Sequence, residues 1–573
     1  MERTAPYIRD LYPAKAQFRS GEPAVMTVEL FNPGDEAVAL VVRLTIAAAT
    51  ETVAVLTREA VVAPDAALVF DIEAGCFEAD LAGFGADAEL RERGELIDAL
   101  SGAFDVASDW RRSTRYGFLS DFAAAELGDG EDVRSMCKLH LNLVQFYDWM
   151  YRHDELVAAE DDYTDLMGRQ VSLPVVREKI ALCHERGMKA VAYGAVYAAS
   201  REFAERHPDW ALYTSGGEPF DFIGIFRIMN IAPDSPWSEH IVSQYRQAVE
   251  RVGFDGIHMD TYGFPKTALS RLGGVERVER LADHFPVLID RTRKSLEEAA
   301  DDVCLIFNNV GNWPVDTVAL AAQDAIYVEV WKPYERYHHI RDIVRWADHL
   351  GNGKNVILAA YLKPFRVPGE GGAAGAENAA LLLTAVVTAH GAYHLLLGEN
   401  GGVLTQGYYV DHSPIGAAFM RKMRDYYDYI VRYVHIWYDK RLRDVSMTHA
   451  DGDNEEYMFS GFPYSMYGEA GKVWIVVREH ERRKAIHFIN LTVAADDCWN
   501  EAKAATPEVE GRIVRIAVES RAVLAFRASP DVARGKPVLL EPAYEVGKRG
   551  LTAIFALPAL NVWDSLVLEF GGD

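Results

Sequence analysis

Two carboxylates stand at the ends of short apolar runs, and alternation turns both the same way. In Phe254-Asp-Gly-Ile-His-Met-Asp260 the even positions Gly256, His258 and Asp260 share one face, opposite Ile257 and Met259. In Ile326-Tyr-Val-Glu-Val-Trp331, Tyr327, Glu329 and Trp331 oppose Val328 and Val330. An acid that protonates a leaving oxygen, paired with a carboxylate that attacks or activates water, is what glycoside cleavage requires. Asp148 offers a third carboxylate, in Gln145-Phe-Tyr-Asp-Trp149. Gln145, Tyr193, His258, Tyr262, Asn309, Trp331, Lys363 and Glu399 end other apolar runs or their neighbours, and are the candidate substrate contacts. Amides, carboxylates and rings suit a sugar, whose hydroxyls need hydrogen-bond partners and whose faces stack. Each residue also has a plainer reading. Asp148 can pair with Arg152, a strand-end Asp can cap a helix, and Trp149 and Trp331 can be core. Convergence at one end of successive strands carries the functional reading. No phosphate-cradling glycine motif occurs, and His338-His339 lacks a carboxylate at metal-ligand spacing, so neither cofactor nor metal is expected.

Elements must hold these groups together. Apolar runs at Tyr116–Ser120, Leu141–Tyr147, Ala190–Tyr193, Gly256–Met259, Val303–Phe307, Ala325–Val328, Asn355–Ala360 and Ala392–Leu397 alternate with helical patterns such as Val176–Arg186 and Pro236–Val252. Eight such units predict a (β/α)8 TIM barrel, whose function gathers at the C-terminal ends of its strands. Before it, short strands and turns such as Asn32-Pro-Gly-Asp predict a β-sandwich; after it, runs such as Lys472-Val-Trp-Ile-Val-Val predict an antiparallel β-sandwich. The expected domains are 1–108, 109–443 and 444–573. Gly369-Glu-Gly-Gly-Ala-Ala-Gly375 reads as a flexible loop.

Composition narrows the partners. The 573 residues carry 85 Asp plus Glu against 59 Lys plus Arg, a formal charge of -26. That excess of acid repels phosphate backbones and anionic membrane surfaces, so no nucleic acid or membrane partner is expected and a neutral carbohydrate is. No uninterrupted apolar run reaches the ~18–20 residues of a membrane span. Five scattered cysteines without a CxxC pair read as reduced thiols. With no signal-peptide pattern at Met-Glu-Arg-Thr-Ala-Pro, the expectation is a cytoplasmic protein, or a secreted one if a leader was removed.

Several segments resemble glycoside hydrolase family 66, the family of endo-dextranases and cycloisomaltooligosaccharide glucanotransferases. They are Ser108-Asp-Trp110 with Arg115-Tyr-Gly-Phe-Leu-Ser-Asp121, Gln145-Phe-Tyr-Asp-Trp-Met-Tyr-Arg-His153, Gly253-Phe-Asp-Gly-Ile-His-Met-Asp-Thr-Tyr-Gly263 and Tyr327-Val-Glu-Val-Trp331. The resemblance implies an immunoglobulin-like N-terminal domain, a catalytic barrel and a C-terminal β domain. It implies Asp260 as nucleophile, Glu329 as general acid/base and Asp148 as a carboxylate near the cleaved sugar. It also implies retention of anomeric configuration through a covalent glycosyl–enzyme intermediate on α-1,6-linked glucan. Glucanotransferases of the family carry a family 35 carbohydrate-binding module in or after the C-terminal part of the barrel. Only about 30 residues separate the seventh and eighth strands here, which favours hydrolysis. Transglycosylation, a barrel glycosidase of different linkage and a non-catalytic glucan-binding protein stay open at this point.

Overall fold

The computed structural model describes residues 4–369 and 371–571. Its centre is an eight-stranded parallel sheet: β1 (Tyr116–Leu119), β2 (Leu143–Phe146), β3 (Lys189–Ala195), β4 (Gly256–Asp260), β5 (Cys304–Val310), β6 (Ala325–Glu329), β7 (Asn355–Ala359) and β8 (Tyr393–Leu395), paired in sequential order. All eight runs that the sequence marks are strands. Helices follow them: α1 (Glu131–Lys138), α2 (Leu173–Glu185), α3 (Pro236–Gln247), α4 (Leu281–Glu297), α5 (Val315–Val318), α6 (Tyr337–Leu350), α7 (Gly372–Ala389) and α8 (Ala417–Arg432). Strands two-faced in apolar residues form because both faces are covered, by the barrel interior and by the helices.

The barrel is nearly closed. Its ladders run from β1 to β8, and among the described residues no ladder joins β8 back to β1. Side chains seal that seam instead. Glu399, just beyond β8, accepts hydrogen bonds from the Ser120 backbone N–H at 2.9 Å, the Ser120 hydroxyl and the Asp121 N–H. Gly398 passes so close that an added Cβ would lie 2.4 Å from the Phe118 carbonyl oxygen.

α7 corrects one sequence expectation. It begins at Gly372, inside the stretch read as a loop, of which Glu370 lies outside the described residues. Its 18 residues, of mean hydropathy 1.3, are long and apolar enough to cross a membrane, yet 72% are buried within the protein. It packs against α6, α8, β8 and the strand Arg483–Asn490, so neighbours on several sides account for its all-round apolar surface.

Around the barrel lie β regions. Residues 7–107 form a three-stranded and a five-stranded sheet enclosing their own apolar core. Alternate residues Ala24, Met26, Val28 and Leu30 are fully buried there, as period two demands. Residues 443–569 build a seven-stranded and a six-stranded sheet with a third core between them. Trp474, Val476 and Trp563, on the other face of the seven-stranded sheet, join the barrel's core.

Candidate active site

The C-terminal ends of the barrel strands open into a cavity of about 460 Å³. β4 and β6 each deliver one carboxylate to it by the alternation predicted from sequence. Glu329 is 8% exposed and Asp260 is half-buried.

One amide joins the two. Asn308 Nδ2 donates to Asp260 Oδ1 at 2.7 Å and to Glu329 Oε2 at 3.1 Å. The Tyr193 hydroxyl donates to Asp260 Oδ2 at 2.7 Å, and the Tyr361 hydroxyl donates to Glu329 Oε1 at 2.9 Å. Behind Glu329, hydroxyl contacts continue from Tyr361 to Tyr409 at 3.2 Å and from Tyr409 to Tyr327 at 2.8 Å. The donors to these acids are all uncharged: amides, phenols and, for Glu329, the Trp331 indole.

Burial therefore raises both carboxyls, because the charged form loses its water. Asp260 is pushed up to about 7 by burial and then by the charge of Glu329, against the opposing pull of Asn308 and Tyr193. Glu329 is raised by burial, with Asn308 and Tyr361 working the other way. The two carboxyls are coupled, so the charge of one makes the last proton of the pair harder to remove.

Asp148 lies in the same cavity in a left-handed backbone conformation (φ 50°). The Arg169 guanidinium fastens that turn by donating to the Asp148 and Ser120 carbonyls while pairing with Asp165. Burial pushes the Asp148 carboxyl up to about 7, with Arg169 holding it back. A non-glycine residue at positive φ is uncommon and is held there by its surroundings. The plainer pairing with Arg152 does not form; Arg152 donates to the Tyr151 and Thr164 carbonyls.

Five further candidates line the cavity. Gln145 is buried, with Oε1 unpartnered. His258 is held 2.7 Å from the Tyr116 hydroxyl, and burial lowers it to about 3, so it is neutral. Tyr193 contacts Asp260, Tyr262 stacks on Phe222 at 4.0 Å, and Trp331 is 41% exposed at the mouth.

Three candidates belong elsewhere. Asn309 sits one position past the inward residue, so its side chain turns away and donates to the Tyr327 carbonyl at 2.8 Å. Lys363 lies exposed in a 3-10 turn, its backbone N–H on Asn500, off the cavity. Glu399 seals the β1–β8 seam. The register Asn308↔Tyr327 puts Asn308 on the inward face, a consequence of the same parity that selected Asp260 and Glu329. Tyr361 continues the inward positions Ile357 and Ala359 of β7. No comparable signal marks Tyr409, Phe222 or His153, which reach the cavity from long loops. Tyr147 stacks on Tyr409 at 4.4 Å and donates to the Gly407 carbonyl, so the cavity walls are largely aromatic. Among the described residues, no three His, Cys, Asp or Glu side chains converge at metal-ligand spacing.

A sequence model of glycosyl hydrolase family 66 matches residues 13–567. A cycloisomaltooligosaccharide glucanotransferase of Niallia circulans is 21% identical over 82% of this chain and 62% of its own length. A dextranase of Streptococcus salivarius is 22% identical over 83% of this chain and 66% of its own. This chain thus spans a little under two thirds of the length of these curated relatives. In three dimensions it is similar to a Paenibacillus sp. cycloisomaltooligosaccharide glucanotransferase complexed with cycloisomaltoheptaose. That match has a TM-score of 0.88 at 19% identity and covers 98% of this chain and 100% of the other. An α-amylase from Geobacillus thermoleovorans complexed with acarbose shares the fold more distantly, with a TM-score of 0.52 at 9% identity, over 81% of this chain and 100% of that one.

Proposed function

The chain belongs to glycosyl hydrolase family 66, and on that premise we propose that it is a retaining hydrolase of α-1,6-glucosidic linkages in dextran or isomaltooligosaccharides. The observation that carries the retaining mechanism is the amide shared by the two acids. One nitrogen at 2.7 and 3.1 Å keeps the bridged Asp260 and Glu329 oxygens within about 6 Å of each other. An inverting pair stands roughly 6.5–9.5 Å apart to admit water, whereas a retaining pair stands roughly 5–5.5 Å apart.

Asp260 attacks the anomeric carbon while protonated Glu329 gives its proton to the departing oxygen, leaving a glycosyl ester on Asp260. Glu329, now a carboxylate, takes a proton from water as that water attacks the same carbon, and Asp260 leaves as the free carboxylate. The shorter hydrogen bonds, both 2.7 Å, go to Asp260 and favour its charged form; those to Glu329 are 2.9 and 3.1 Å. These shorter bonds favour the placement that the first step requires, the shared proton on Glu329, against the charge of Glu329, which raises Asp260. Gln145 Oε1 and Asn308 Oδ1, both buried and unpartnered, supply acceptors for sugar hydroxyls.

A second reading has its own support. The stacked pairs Tyr147–Tyr409 and Phe222–Tyr262 wall the cavity with rings on which an acceptor sugar can lie. A sugar hydroxyl replacing water in the second step makes the enzyme a transglycosylase. We also read residues 1–108 as an immunoglobulin-like domain, 109–443 as the catalytic barrel and 444–573 as an antiparallel β-sandwich, on the strength of their three apolar cores.

Chromatography of products from dextran, isomaltooligosaccharides and starch tests the proposal. Linear isomaltooligosaccharides from dextran alone are expected. Cyclic or elongated products would move the assignment to transglycosylation, and activity confined to starch would remove the α-1,6 linkage.

A further inference from the structure

At the opposite end of the barrel, where β7 and β8 begin, lies a second cavity of about 620 Å³. It sits in the crevice between α6, the Gly391 turn and the seven-stranded sheet. Its polar groups are fixed but incompletely satisfied. Asp444 is tied through Oδ1 to the Ser446 hydroxyl at 2.6 Å and N–H at 3.0 Å, which leaves Oδ2 buried without a partner. Arg478, paired across strands with Asp444 and 8% exposed, donates to the Trp437 carbonyl at 2.6 Å. Among the described residues it has no ion pair. His390, 9% exposed, keeps an unpartnered Nε2, and burial lowers it to about 3, so the ring is neutral. At the rim Trp346 is 48% exposed, a large ring left to water on α6 beside Arg345.

Buried polar atoms without partners are costly, and a ligand that supplies the missing hydrogen bonds recovers that cost. The groups here need both a donor and an acceptor. The lining carries both signs, Arg345, Lys440, Arg443 and Arg478 beside Asp342, Asp348 and Asp444, so a ligand offering both donors and acceptors matches it better than a simple anion, and an apolar ligand would satisfy neither sign. A pyranose fits: one hydroxyl donates to Asp444 Oδ2, its neighbour accepts from Arg478, and the apolar C–H face lies on Trp346. We propose that this cavity is a second carbohydrate-binding site that holds a glucan chain away from the catalytic cavity. The identity of the sugar rests on the α-glucan reading above.

Affinity electrophoresis through soluble dextran tests it. Glu329→Gln is run so that no substrate is consumed, beside Glu329→Gln combined with Trp346→Ala and Glu329→Gln combined with Asp444→Asn. Trp346 is a surface ring, so its removal leaves the fold intact, which circular dichroism checks. Each added substitution is expected to weaken dextran binding about fivefold or more. Equal retardation of all three chains overturns the site, as does absence of retardation of Glu329→Gln. Release of sugar from dextran by the unaltered chain is scored separately. Its absence removes the catalytic reading, whatever the gel shows of the second site.

Discussion

At the scale of single residues, the proposed function rests on how one proton is divided between Asp260 and Glu329. Glu329→Gln removes the proposed general acid, and turnover should fall by about 10²–10⁴-fold. Asp260→Asn removes the proposed nucleophile, and turnover should fall at least as far, with the far-ultraviolet circular dichroism of both variants unchanged. Activity near that of the unaltered chain in either variant sinks the assignment. Asn308 makes a subtler prediction. The pair keeps its last proton up to about pH 7, because burial and mutual repulsion oppose the second charge. Above that pH no acid remains, so kcat/KM should decline. Asn308 donates to both carboxylates and so favours their charged forms. Asn308→Ala removes that support, and the last proton is then held to higher pH. The alkaline limb should move up by roughly one to two units, taking hydrogen bonds to charged groups at about 1.5–3 kcal/mol and one unit as about 1.4 kcal/mol. A pH profile that stays in place, or moves down, refutes the electrostatic role.

At the scale of elements, the eight strands were legible because each is a short apolar run bounded by helical pattern, and their inward parity located Asp260 and Glu329. Parity also explains an error. Asn308 and Asn309 are chemically alike, and only the register with β6 tells which faces in. Lys363 shares the inward parity of Tyr361, but the strand has ended and a 3-10 turn redirects it. Tyr409 and Phe222 were not legible, since long loops carry no period from which direction can be read. Glu399 looked like a substrate contact from its place after β8, whereas it joins β8 to β1. That difference is measurable. Glu399→Gln loses a charge-assisted hydrogen-bond set worth about 1.5–3 kcal/mol and should lower Tm by about 1–3 degrees, while KM for dextran stays within about twofold. A raised KM at unchanged Tm restores the substrate role. Gly398→Ala presses on the same seam from another side. A Cβ there meets the Phe118 carbonyl oxygen at 2.4 Å and the Phe118 ring at 2.3 Å. Backbone cannot yield as a flexible side chain does, so a loss of about 1–3 kcal/mol is expected in denaturant unfolding.

At the scale of the whole molecule, three apolar cores raise the question of what couples them. Between the N-terminal β region and the barrel the coupling is polar and buried. Asp105, fully buried near the end of the strand Glu95–Ala107, accepts from Arg115 Nη1 and Nη2 at 2.9 and 2.8 Å and from Gln17 Nε2 at 2.8 Å. Arg115 stands one residue before β1 and spends its remaining donors on the Ala16 and His140 carbonyls and the Ser113 hydroxyl. Asn142 closes the network by donating to Gln17 and to the Ser113 carbonyl. The first barrel strand is therefore positioned from outside the barrel. Removing one partner of such a pair leaves a buried charge unmatched, at a cost of about 3–5 kcal/mol. Asp105→Ala should lose that much in urea unfolding, and Asp105→Asn less, since its amide oxygen still accepts one hydrogen bond. Because Arg115 leads directly into β1, the loss should appear in barrel probes such as tryptophan fluorescence and in residual activity at the same urea concentration. Unfolding of the N-terminal region alone, with activity retained through that transition, would show instead that the two cores stand independently and that the buried pair only joins them.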